Sequence, residues 1–107
     1  MGGYREEFPD FGEIDVQIPA GFEDISWRND PCPSFGDKEL GLVLFVDYKD
    51  AGLREFPETP RFTLRSVGTD GFGEIVYGDG DIDVISTDDF DAVIAEVDAR
   101  RGSKPTA

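Results

Sequence analysis

From Glu13 to Ile18 apolar and polar residues alternate without a break. Ile14, Val16 and Ile18 fall on one side, Glu13, Asp15 and Gln17 on the other. A period of two is that of a strand with one buried face, so the pattern predicts a β-strand here. Pro19-Ala20-Gly21 reads as a turn, and Ile25 and Trp27, set against Asp24, Ser26 and Arg28, read as the returning strand of a hairpin. The most apolar run is Leu40 to Tyr48. Five consecutive apolar residues within it, Leu42 to Val46, predict a central strand covered on both faces.

Asp50 to Pro60 reads as a connection containing at most one helical turn. Arg61 to Val67 alternates again, with Phe62 and Leu64 inward. Glu74 to Tyr77 and Ile82 to Ile85 read as short strands, and Gly78-Asp79-Gly80-Asp81 between them reads as a tight hairpin turn. Phe90, Val93, Ile94 and Val97 then recur at i, i+3, i+4 and i+7, the stripe of an amphipathic helix. Ser86 or Thr87 can cap that helix, Arg100 and Arg101 complement its C-terminal end, and Gly102 supplies a stop.

These elements predict an α+β fold: a five- to six-stranded, mostly antiparallel sheet with one C-terminal amphipathic helix packed on one face. Residues 1–11 show no usable period and are expected to form a partly ordered arm. A single domain is expected over 12–102, with a disordered tail at 103–107. One helix leaves the opposite sheet face to stay polar or to meet a second subunit, which makes a homodimer one of the expectations.

Composition narrows the chemistry more than it names it. The 107 residues contain no His and a single Cys, Cys32. Nucleophile–imidazole pairs, His metal ligands and internal disulfides are therefore absent, and neither a metal nor another cofactor is expected. No run approaches the roughly 20 apolar residues of a membrane span, and residues 1–7 lack an apolar signal core. These features predict a soluble cytoplasmic protein. Nine Phe, three Tyr and one Trp argue for a packed core rather than an acidic disordered chain.

The formal charge of -14 argues against nucleic acid or anionic lipid as a direct partner. It is unevenly spread, because the chain between Ser66 and Ala99 holds ten acids and neither Lys nor Arg. Asp79, Asp81, Asp83, Asp88, Asp89 and Asp91 are the candidate acidic surface, facing either a basic partner or only water. Asp79, Asp81 and Asp83 have the opening spacing of a calcium loop. Val84 stands where that loop needs Gly and Phe90 where it needs Glu, so no metal is assigned.

The second candidate is the loop after Trp27. Pro31 and Pro33 stiffen it around Cys32, and Asn29 and Asp30 can bond back to its backbone. Trp27, Asn29, Asp30, Cys32 and Phe35 are its candidate partner-binding residues, with Trp27 and Phe35 as aromatic anchors. The expected function is a non-enzymatic protein-interaction module. The alternatives are an acidic inhibitor, immunity-type or nucleic-acid-mimic protein that blocks a basic partner, and an enzyme working with carboxylates alone.

Overall fold

A computed structural model describes residues 3–27, 30–78 and 80–102. Five antiparallel strands form the main sheet: β1 (Glu23–Asp24), β2 (Ser34–Asp37), β3 (Leu42–Val46), β4 (Phe62–Ser66) and β7 (Ile82–Thr87), lying side by side in that order. A two-stranded ribbon pairs β5 (Gly68–Thr69) with β6 (Ile75–Val76). A one-turn helix α1 (Tyr4–Glu7), a short 3-10 turn at Ala51–Leu53 and the C-terminal helix α2 (Phe90–Gly102) complete the chain. This is the expected α+β arrangement, with the apolar run as the middle strand.

The register separates two faces. Leu44 stands opposite Phe35 on one side and Leu64 on the other, and Val46 stands opposite Phe62, so these side chains share a face. Val93 and Val97 of α2 close over that face, and every residue of the resulting cluster is buried. Phe90 packs against Phe62 with ring centroids 4.9 Å apart. Ile94 is only half-buried and lies outside the cluster, so the helical stripe is narrower than its spacing predicts. Asp89 caps α2, its Oδ1 accepting the Asp91 N–H at 3.0 Å. Thr87 Oγ1 accepts the Asp89 N–H one step earlier.

Two predicted hairpins are not formed. Residues 13–18 make no ladder, although the alternation survives as burial, with Ile14, Val16 and Ile18 packed against the core and Glu13, Asp15 and Gln17 exposed. An extended chain laid across an apolar surface has the same period as a paired strand. Here the bonds go elsewhere: the Ile14 N–H donates to the Tyr4 hydroxyl, and Asp15 takes the Arg61 guanidinium at 2.6 Å. The second missing hairpin is that of residues 74–85. Asp70 Oδ1 accepts the N–H groups of Phe72 and Glu74, folding β6 back on β5 and leaving β7 to pair with β4.

The stretch expected as a partly ordered arm is packed over its described part. Phe8 is buried, and Tyr4 and Phe11 rest on the core. Residues 103–107 lie outside the described residues.

On the other face, two side chains cover the β2–β3 end. Gly36 makes this possible, since a Cβ there would come within 2.6 Å of Ile75 Cδ1 and 2.9 Å of Ile25 Cδ1. The missing side chain lets both isoleucines lie directly on the sheet, and Val43, opposite Gly36, becomes fully buried beneath them. The β4–β7 end of this face is not covered in that way.

Candidate functional site

Where the cover of the second face stops, a groove of about 510 Å³ opens over the sheet. Its floor is made of cross-strand neighbours. Phe45 stands opposite Thr63, Thr63 opposite Ser86, and Arg65 opposite Asp83. Thr63 Oγ1 and Ser86 Oγ lie 3.0 Å apart, and Arg65 Nε donates to Asp83 Oδ1 at 2.7 Å. The Arg65 guanidinium also lies over the Phe45 ring, 5.1 Å from its centroid.

A bulge sets this floor. Leu64 pairs with Ile85 and Arg65 with Asp83, so Val84 is an extra residue in β7. In a regular strand Asp83 and Ser86 would point to opposite faces, being three residues apart. The bulge puts both on the groove side, while Val84 and Ile85 pack toward the core.

Loops raise the walls. One contains Glu55, Phe56, Thr59 and Pro60. The Arg54 side chain, 8% exposed, holds it by donating to the carbonyls of Tyr48 (2.7 Å), Thr59 (2.9 Å) and Lys49 (3.3 Å). The rest of the lining comes from Asp30, Pro31 and Cys32 and from Tyr77, Gly78 and Asp81. Phe56 and Tyr77 are more than half exposed, so the rim offers two aromatic rings to a visitor.

The electrostatics of the groove are one-sided. Among the described residues five carboxylates line it, from Asp30, Asp47, Glu55, Asp81 and Asp83, against the guanidiniums of Arg61 and Arg65. Both guanidiniums are already engaged, Arg61 by Asp15 and Arg65 by Asp83. Burial raises the Asp30 carboxyl above the usual range, and among the described residues its side chain has no hydrogen-bond or ion-pair partner. Burial raises Asp47 too, against the opposing pull of the Tyr48 N–H, Arg54 and Arg61. Tyr77 is raised by burial first and by the charge of Asp30 second.

Several sequence candidates meet here and others do not. Asp30 and Cys32 stand in the wall, and Asp81 and Asp83 line the groove with them. Cys32 is 3% exposed, and burial, with Asp47, Asp30 and Glu55 nearby, pushes its thiol far above the usual range, which leaves it unreactive. Trp27 is 55% exposed, and its carbonyl accepts the Asp30 N–H at 2.9 Å. Phe35 is not a second surface anchor beside it. It points to the other face, is 5% exposed and packs edge-on to Tyr4 inside the core. Asn29 and Asp79 lie outside the described residues.

The acidic run also divides. Asp88 accepts the Arg61 backbone N–H at 2.8 Å, Asp89 caps α2, and Asp91 occupies the first helical turn. Asp89 and Asp91 therefore serve the helix start and Asp88 the backbone leading into β4, and none of the three lines the groove with Asp81 and Asp83. The wall from Arg54 to Pro60 and the rings of Phe56 and Tyr77 were not candidates from the sequence. The only signal available was an apolar residue inside a polar, Pro-bounded connection.

Among the described residues no group of three or more Cys, Asp or Glu side chains is arranged to hold a metal ion, and no helix is long and apolar enough to cross a membrane. Comparison of the chain with known protein families, with curated proteins and with solved structures finds no match.

Proposed function

We propose that this protein is a non-enzymatic interaction module whose groove receives a basic segment of a partner protein. The observation that carries the reading is the charge of the groove. Among the described residues five carboxylates surround a sheet floor whose two cations are already paired, and half-buried Asp30 has no side-chain partner. A desolvated carboxylate left unpaired is unfavourable, and a cationic guest relieves it. Exposed rings at the rim add apolar area for the stems of long basic side chains.

Catalysis by carboxylates has less support. Acid–base work divides two groups by pushing their pKa values apart, whereas burial moves Asp30 and Asp47 in the same direction. The phosphate-mimic alternative wants a continuous row of acids, and Asp88 and Asp89 are spent on backbone N–H groups. A cytoplasmic setting accords with a lone buried thiol that needs no disulfide.

The test is a titration of the isotopically labelled protein with a nine-residue peptide rich in Lys and Arg, followed by amide chemical shifts. An acidic peptide of the same length is the control. The expected result is saturable binding of the basic peptide alone, with shifts at Thr63, Ser86 and Asp30. It should weaken from about 0.1 M to 1 M salt, as the screening length contracts from about 10 Å to 3 Å. Equal response to both peptides, or shifts that avoid the groove, would overturn the reading.

A further inference from the structure

The floor of the groove already contains a bound guanidinium, the protein's own. Arg65 lies over the ring of Phe45 at 5.1 Å while its Nε donates to the Asp83 carboxylate at 2.7 Å. A ring beneath and a carboxylate at the edge suit arginine in particular. Its planar fork stacks and donates at once, whereas an ammonium is a compact, strongly hydrated point charge.

The wall repeats the same two components without the cation. Tyr77 lines the groove and is 52% exposed. Asp30 lines it too, half-buried and without a side-chain partner among the described residues. Both belong to the lining of the same groove, and the charge of Asp30 adds to burial, the larger cause, in raising the Tyr77 hydroxyl. Among the described residues neither guanidinium lining the groove, Arg61 or Arg65, is free to complete this second pair, because Asp15 and Asp83 hold them.

We infer that the groove is selective for arginine, and that a partner's arginine side chain seats its guanidinium against the Tyr77 ring and the Asp30 carboxylate. This rests on the interaction-module reading above and adds the identity of the side chain that is recognised. A second copy of this chain is a poor source of that arginine, since each copy carries a formal charge of -14.

The experiment uses three nine-residue peptides that differ only at their central positions, which hold arginine, lysine or citrulline. Affinities are measured by calorimetry on the full chain. Citrulline keeps the planar fork and loses the charge, so it separates stacking from electrostatics. The expected order is arginine over lysine by about tenfold, with citrulline weakest. Asp30→Asn should weaken the arginine peptide. Tyr77→Leu, at an exposed position where folding is not at stake, should bring arginine down to the level of lysine. If lysine and arginine peptides bind equally and Asp30→Asn weakens both alike, selectivity for arginine is overturned while the groove reading stands. If no peptide binds, both fall together.

Discussion

Arg101→Ala is the substitution whose cost the structure sets best. Asp37 is buried, 2% exposed, and its two oxygens have different duties. Oδ1 accepts the Leu40 N–H at 3.0 Å within the β2–β3 turn, and Oδ2 accepts Arg101 Nη2 at 2.8 Å from the last turn of α2. The same nitrogen donates to the Ala20 carbonyl at 2.8 Å. Taking one partner from a fully buried pair costs about 3–5 kcal/mol, because the other charge is left without compensation. Here the Arg101 side chain is 40% exposed, so water partly replaces the guanidinium and the expectation falls to about 2 kcal/mol. In a domain of 107 residues that lowers Tm by roughly 8–12 °C. Asp37→Asn keeps an acceptor for Leu40 and leaves a charge that water can reach, so about 1 kcal/mol is expected. Urea melts of both single variants and the double variant check the ordering. The double should resemble Asp37→Asn, since no buried charge remains. An Arg101→Ala loss under about 0.5 kcal/mol would refute the idea that this pair anchors α2 to the sheet.

Asp47→Asn should stabilise the protein at neutral pH. Burial raises the folded-state carboxyl above its ordinary 3.8, so the native state resists ionisation and stability is lost as pH rises through that window. The advantage of the variant should therefore appear above the ordinary Asp value and vanish below it, and a gap independent of pH would contradict this. Gly36→Val forces Ile25 and Ile75 off the sheet, and it should cost about 1–3 kcal/mol and raise hydrogen exchange at Ile75 and Val76. Val93→Ala removes fully buried methyl groups and should cost about 2 kcal/mol. Ile94→Ala, at a half-buried position, should cost under about 1 kcal/mol, and the reverse order would relocate the core face of α2.

The parts of the fold that could be read in the sequence are those in which one residue type does one job. Leu42 to Val46 belongs to a run short enough for a buried helix as well, and its β-branched and aromatic residues decide for the central strand, while Val93 and Val97 mark the buried side of α2 at helical spacing. The period of residues 13–18 was legible as burial and misleading as pairing, because side-chain alternation records which side faces apolar surface and says nothing about the backbone's partner. The bulge at Val84 left no mark in the sequence, yet it decides that Asp83 and Ser86 share the groove. The groove itself needs Arg54 to gather three carbonyls and Gly36 to admit two isoleucines, and both are long-range facts. Cys32 and Asp30 were singled out because prolines made their loop conspicuous, and Phe35 was misplaced because its strand begins one residue earlier, at Ser34, with its side chain inward.

Cys32 gives the molecule a built-in clock. A thiol this buried cannot meet an alkylating reagent while the wall is in place, so each labelling event counts one excursion of residues 30–33 away from the sheet. Because the chain has no other sulfhydryl, the rate needs no site assignment, only the gain in mass. On the proposed reading, a guest held against Asp30 would brace that same wall. Occupancy of the groove can therefore be followed as a slowing of alkylation at a residue the guest does not have to touch.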